Sequence, residues 1–417
     1  MTTIADISKD NVSKTAQTVG DPAWLKANRD AAWERYSATP YPTRKEELWK
    51  YTDLSRINWG KYAVGTTENV VLSTLEKDAA ARGAIFCTLA DALKKHPELV
   101  QKYLGRNTDT VNGKYAFENL AFTDRGFFCF VPKGVKITTP LHVETQSTQD
   151  GATLFPRTIV VLEEGAEATV FDQFTSPNAK DGVIGYTNAR VELYVGQSAR
   201  LHYLQMQNWH NGMLHLLEQH AELERDAYLS ATTISLGGHI SKSTIAAILK
   251  APGAVSYLFG LGYGNDKQQF DHHTMQTHLA PNTTSDLLYK MAMNDRARST
   301  YTGIITMTPD AQKADAYQSN KNLLLSKTAR ANTVPQLEIL ANDVRCTHGA
   351  SVGTVEDEQL YYLESRGLSR EVARDMIVHG FFEDLIGKLP EETLKNAVRK
   401  AVNDKLGTTI ELEDIAL

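Results

Sequence analysis

Arg190-Val-Glu-Leu-Tyr-Val-Gly-Gln-Ser-Ala199 is the stretch on which the fold turns. Val191, Leu193 and Val195 alternate with Arg190, Glu192 and Tyr194, the period of a half-buried strand, and the run ends on the small pair Ser198-Ala199. Similar pairs stand at Gly165-Ala166, Asp226-Ala227 and Gly253-Ala254. Their alanines are 33, 28 and 27 residues apart, and Asp310-Ala311 resembles them farther on. A repeat of about 30 residues with two or three short strands each points to a β-solenoid. One coil cannot bury its inward residues alone; stacked coils bury them in a column. A β-sandwich with turns at ordinary spacing is the competing reading. No long helical pattern interrupts before about residue 356, which excludes alternating βα units.

Outward from this core the period changes. Residues 1–20 are polar and read as loose. Asp21-Pro22 reads as a helix start, with Leu25, Ala32 and Tyr36 at helical spacing. Pro40-Tyr41-Pro42 breaks that helix, and Thr43 to Glu46 forms a capping box before a short helix through Leu48 and Tyr51. Segments 71–81 and 88–104 also read as helical, the second stopped by Gly105. After the β region come helices over 357–366 and from Ser369, and a third opened by Pro390-Glu391-Glu392. The expected fold class is mainly β, with a helical region at 1–116, a β core at 117–355 and a helical domain at 356–417. In the last, Ile377, Phe381 and Leu385 form one packing stripe. Tyr361, Tyr362 and Phe382 lie off it and suggest a partner surface, because aromatic residues anchor interfaces.

Composition narrows the function. With 417 residues, 42% hydrophobic and 23% charged, the chain is ordinary globular material. A net charge of −6 with mixed signs argues against nucleic-acid binding. There is no apolar run long enough to span a membrane and no apolar N-terminal stretch like a signal peptide, so the cytoplasm is the expected compartment. Three cysteines, an odd number without a CxxC pair, fit a reducing compartment. Cys87 and Cys129 sit among apolar neighbours and read as small hydrophobes.

Motifs of catalysis are scarce. There is no P-loop, nucleophile elbow or HExxH. Gly260-Leu-Gly-Tyr-Gly264 reads as a turn between coils. Alternation puts His272, Thr274, Gln276 and His278 on one strand face. A polar ladder is the plainer reading; a cupin-like metal-dependent enzyme using His272 and His278 is the rival one. In Asp343-Val-Arg-Cys-Thr-His-Gly-Ala350, Cys346 and His348 share a strand face, and Arg345 next door is expected to favour the thiolate. Two ligands are too few for a closed metal site, so a second chain would have to complete it.

Several segments resemble one family. Tyr41-Pro-Thr-Arg-Lys-Glu-Glu-Leu-Trp-Lys-Tyr-Thr-Asp-Leu54, Asp286-Leu-Leu-Tyr-Lys290, 315–326, Pro335-Gln-Leu-Glu-Ile339, 343–353 and 361–384 look like the SufB/SufD family. The resemblance is dense over 41–59 and 271–388 and diffuse over 60–250. The Cys-Thr-His-Gly-Ala form, the 41–54 segment, the moderate length and the few cysteines are closer to the SufD branch than to SufB. This likeness implies a right-handed parallel β-helix between helical ends and a scaffold subunit of iron–sulfur cluster assembly, with no catalysis of its own. It implies pairing with SufB, a homodimer being the alternative, and binding of the ATPase SufC through the C-terminal helices. The surface for SufC would then include Tyr361, Tyr362, Ile377, Phe381, Phe382 and Leu385. No cofactor would bind tightly to the isolated chain. A transient cluster shared with SufB would use His348, and Cys346 less certainly, while ATP enters only through SufC.

Overall fold

A computed structural model describes residues 7–64, 70–106, 113–177, 179–180 and 182–407. Its core is a parallel β-solenoid of about eight turns. Each turn gives one strand to each of two sheets. The first sheet includes Arg157–Leu162, Gly185–Val195, Met213–Leu223, Ile240–Leu249, Gln269–His278, Arg298–Met307 and Arg330–Ile339. The second runs from Leu141–Gln146 through Glu167–Thr175, Arg200–Asn208, Tyr228–Ser235, Val255–Gly264, Thr284–Met293 and Asp315–Leu324 to Arg345–Thr354. Register is uniform: Val191, Gln219, Ile245, Thr274, Gly303 and Pro335 stack in one column. Antiparallel strands Val70–Leu72 and Ile85–Thr88 close the first end.

The small pairs are the corners. Gly165, Ser198, Asp226 and Gly253 have left-handed φ of 66°, 55°, 56° and 78°. A non-glycine residue there costs about 1–2 kcal/mol. The stack offsets this cost, because each corner amide reaches the next coil: Ser198 donates to the Arg225 carbonyl at 2.8 Å and Asp226 to that of Pro252 at 3.1 Å. Ala166, Ala199, Ala227 and Ala254 are fully buried, so the alanine in each pair is fitted to the column. On the last such coil the corner is Lys313-Ala314, with Lys313 at φ 60°, and not Asp310-Ala311. Gly260–Gly264 is no turn either. It lies within strand Val255–Gly264, where the Tyr289 ring occupies the space of a Gly260 side chain.

Strand Gly185–Val195 is buried on both faces, not half-buried. Val191, Leu193 and Val195 point into the solenoid core. Its polar face lies under the N-terminal helical region, where Arg157 meets Glu192 at 3.2 Å and Arg190 meets Glu218 at 2.9 Å. Asn119 accepts from Arg157 at 3.0 Å and donates to the carbonyls of Pro156 and Asn188, tying helix Lys114–Phe122 to the sheet. That helix is buried all round and so carries no amphipathic period; apart from the two-residue strand Ala63–Val64, the parallel strands begin at Phe127. Alternation therefore reports the strand but not what covers it.

The N-terminal expectations need further correction. Lys9–Val19 is a helix capped by Ser8, with Val12, Ala16 and Val19 buried, although its composition reads as loose. Residues 1–6 lie outside the described residues. Asp21 does not cap helix Ala23–Ala38 but pairs with buried Arg29 at 2.5 Å. Glu46 does accept from the Thr43 amide at 2.8 Å, yet only the short 3-10 turn Glu47–Trp49 follows. Residues 71–81 hold a strand end and helix Lys77–Ala81, and 88–104 hold helices Leu89–Lys95 and Pro97–Gln101.

Replacing Arg157 by Leu leaves the buried Glu192 carboxylate with Arg190 at 3.8 Å as its remaining ion partner. Unfolding free energy in urea should fall by about 3–5 kcal/mol. An unchanged urea midpoint would show that this layer does not hold the N-terminal region down.

Candidate partner interface at the open end

The far end of the solenoid has no cover among the described residues. Strands Arg330–Ile339 and Arg345–Thr354 each pair on one side only. Residues on columns that earlier coils bury are exposed here: Leu337, Ile339 and Val352, with Leu340 and Tyr317 adding exposed apolar surface beside them. Cys346 and His348 belong to this last coil. In register, Cys346 stacks on buried Ala316 and His348 on buried Gln318, so both occupy inward-facing columns that have lost their lid. Cys346 is half-buried against a cluster of Ile305, Met307, Ala311, Ala314 and Ala316. His348 is exposed. The structure thus puts the two on one face, as C-x-H spacing implies. Sequence reasoning missed the exposed apolar residues. The signal was present: inward alternation continues through Leu337 and Ile339, and no later coil follows to cover it.

Arg345 does not make Cys346 a thiolate. Strand alternation points the two side chains to opposite faces, and Arg345 lies 3.5 Å from Asp315. Burial, reinforced by the Asp315 carboxylate, pushes the Cys346 thiol up to about 11. In the chain alone it is a neutral packing group at pH 7.

The histidine face is internal. Ser235 Oγ lies 3.0 Å from His272 Nε2; Thr283 and Ser285 hydroxyls lie 2.7 and 2.9 Å from the two nitrogens of His278. Thr274 meets Tyr301, and Gln276 donates to Ser285. Burial holds both imidazoles down to about 4, hence neutral. No three His, Cys, Asp or Glu among the described residues are grouped to hold a metal ion. The solenoid is also not a cupin-like barrel.

Two other segments frame the open end. Residues 43–54 form a strap across the outer face of the first sheet. Lys242 donates to the Leu48 carbonyl and pairs with Asp271 at 3.1 Å, Gln269 donates to that of Tyr51, and Thr52 bonds Asp271. Gln336, on the last strand of that sheet, reaches Glu47 at 2.8 Å. On the second sheet, Lys290 binds Asp384 and the Phe381 carbonyl, anchoring helix Arg370–Ile386. That helix packs through Val378, Phe382, Leu385 and Ile386 onto Leu204, Met206, Ile234, Phe259, Leu261 and Leu288. The expected stripe is therefore rotated: Phe382 is core, as is Leu385, while Ile377 and Phe381 are half-buried. A helix laid on a flat sheet buries a wider arc than its most regular stripe. Tyr361 and Tyr362 remain 73% and 58% exposed on helix Asp357–Glu364. No helix among the described residues is long and apolar enough to cross a membrane.

Iodoacetamide labelling of Cys346, followed by peptide mass mapping on the isolated chain, tests the buried thiol. Its rate should rise about tenfold per pH unit from pH 7 to beyond pH 10, because only the thiolate reacts. A plateau near the ordinary thiol value, about 8.5, would refute it.

Comparison with known proteins agrees with these landmarks. The profile of the SUF system FeS cluster assembly SufBD core domain matches residues 144–381, and that of the SufBD protein N-terminal region matches 62–143. An iron–sulfur cluster assembly SufBD family protein of Synechocystis is 30% identical over 346 residues, 81% of this chain and 72% of that protein. The iron–sulfur cluster assembly protein SufB of Bacillus subtilis is 30% identical over 336 residues, 80% of this chain and 72% of its own length. A chloroplastic SufBD family protein of Arabidopsis thaliana is 27% identical over 330 residues, 77% of this chain and 59% of its own. With its core profile spanning more than half of the sequence and its parallel solenoid in place, the chain belongs to the SufBD family of iron–sulfur cluster assembly proteins.

Proposed function

We propose that this chain is a SufD-type scaffold subunit that pairs through its open end with a SufB-type paralogue and completes a cluster-building site there. The observation that carries this reading is the uncovered last coil, with His348 and Cys346 on its inward columns. An uncapped solenoid end exposes apolar surface and two strand edges, and a second solenoid is a natural lid for both. A homodimer would cover the same surface. The SufB assignment is favoured because this chain's likeness is to the SufD branch, whose implied partner is the more cysteine-rich SufB, and this chain has only three cysteines. In this reading the nascent cluster is cargo shared at the interface. His348, exposed and unburdened by packing, is the stronger ligand candidate. Cys346 would have to release its proton to solvent as iron binds, since metal coordination requires the thiolate.

Energy enters through the partner ATPase SufC, in keeping with the lack of a P-loop here. Exposed Tyr361 and Tyr362 are the anchors we assign to SufC, with Ile377 and Phe381 at their margin. Nucleotide-driven movement of SufC would pull helix Arg370–Ile386, and Lys290 would pass that force to the next-to-last coils through Asp384. The three cysteines are free, in keeping with the cytoplasm.

Two measurements test this. In complexes reconstituted with SufB-type and SufC-type subunits without oxygen, His348→Ala should lower iron and sulfide content, and Cys346→Ser should lower it less. Wild-type cluster yield from both single variants and the double variant would make the loop purely structural. Tyr361→Ala/Tyr362→Ala should weaken SufC co-purification by about 30-fold or more, the scale of a lost anchor of about 2 kcal/mol. Undiminished SufC capture would remove these residues from the contact. Deleting the C-terminal helices is the poorer test, because it would strip the cover from Met206, Phe259 and Leu261.

A further inference from the structure

The corner where strands of the second sheet turn into those of the first carries an unusual charge pattern. Exposed Lys267, Arg296, Arg298, Lys327 and Arg330 follow one another over three successive coils. Arg298 and Arg330 are direct register partners, so two cationic residues stand one ladder step apart, about 4.8 Å along the solenoid. Like charges placed directly opposite destabilise a sheet, so this arrangement is not explained by folding. Arg330 donates only to the carbonyls of Lys327 and Ala329, and none of the five pairs with a carboxylate among the described residues. The nearby acids are Asp266 and Asp295, and Asp295 is occupied by the Asp266 amide at 3.0 Å. Five cations against two carboxylates leave +3 on this corner of a chain whose net charge is −6. Between the turns lies a cleft of about 380 Å³ in which Asp266 and Asp295 balance Lys267 and Arg296, so the excess positive charge lies on the ridge beyond it, at Arg298, Lys327 and Arg330.

We propose that this corner is a docking ridge for an acidic polypeptide segment of a partner protein. Cations repeated at one-coil spacing suit carboxylates on an extended chain laid along the ridge. The ridge spans two ladder steps, about 10 Å, too short to neutralise the many phosphates on which nucleic-acid affinity rests, and the chain's net charge of −6 disfavours a long polyanion. The inference stands apart from the pairing at Cys346 and His348, and its test uses the isolated full chain.

Fluorescence anisotropy with a labelled oligoglutamate peptide should show binding at about 50 mM salt that weakens at about 200 mM. The Lys267→Glu/Arg296→Glu/Arg298→Glu variant should bind at least about tenfold more weakly. Lys133→Glu/Lys136→Glu, at a different corner, should bind as the parent does. The Gln replacements Lys267→Gln/Arg296→Gln/Arg298→Gln should give an intermediate loss, and they serve if the reversed charges impair folding. The proposal is overturned if the parent fails to bind at low salt, or if the Gln variant binds unchanged. It is also overturned if both corners lose affinity equally, or if oligothymidylate of equal charge displaces the peptide better than unlabelled peptide does.

Discussion

Backbone pairing between successive coils is the constraint on which the molecule depends. Every strand in the middle of the stack is satisfied on both edges by chain about 30 residues earlier and later. The left-handed corner residues are tolerable for the same reason, since their amides bond to the neighbouring coil. Such a stack has no internal rule for stopping. One end is stopped by antiparallel strands and helices of the same chain. The other has no cover among the described residues, and Cys346 and His348 lie there because they belong to the last coil.

The helical ends are fitted to the two outer faces in different ways. The N-terminal region is seated by buried charges: Arg29 with Asp21, Arg157 with Glu192, and Lys242 with Asp271 beneath the strap. Such pairs confer position more than stability, because desolvation consumes most of their attraction. The C-terminal helices are seated mainly by apolar contact, with Lys290 fixing where helix Arg370–Ile386 ends. Strap and helix thus reach the last coils from opposite sheets, which places both family-like segments beside the open end.

Local chemistry explains what was legible in the sequence. Corner pairs such as Ser198-Ala199 show because left-handed backbone and a crowded column restrict both positions at once, coil after coil. Strand faces show because alternation follows from the backbone itself, and C-x-H spacing alone puts Cys346 and His348 on one side. Helix Lys114–Phe122 was hidden because it is buried on all sides, and Lys9–Val19 because its polar composition masks three buried positions. The protonation of Cys346 was misread for a related reason: the adjacent cation in sequence is on the opposite face in space.

The sequence by itself determined the repeat, the change of period at both ends and the family likeness, since each rests on neighbours along the chain. Only the tertiary structure decided which polar strand faces are buried and which aromatic residues of the C-terminal helices stay exposed. It also revealed that the last coil has no cover. Those outcomes depend on what packs against a surface, and residues as far apart as Lys290 and Asp384, or Glu47 and Gln336, meet only once the coils are stacked.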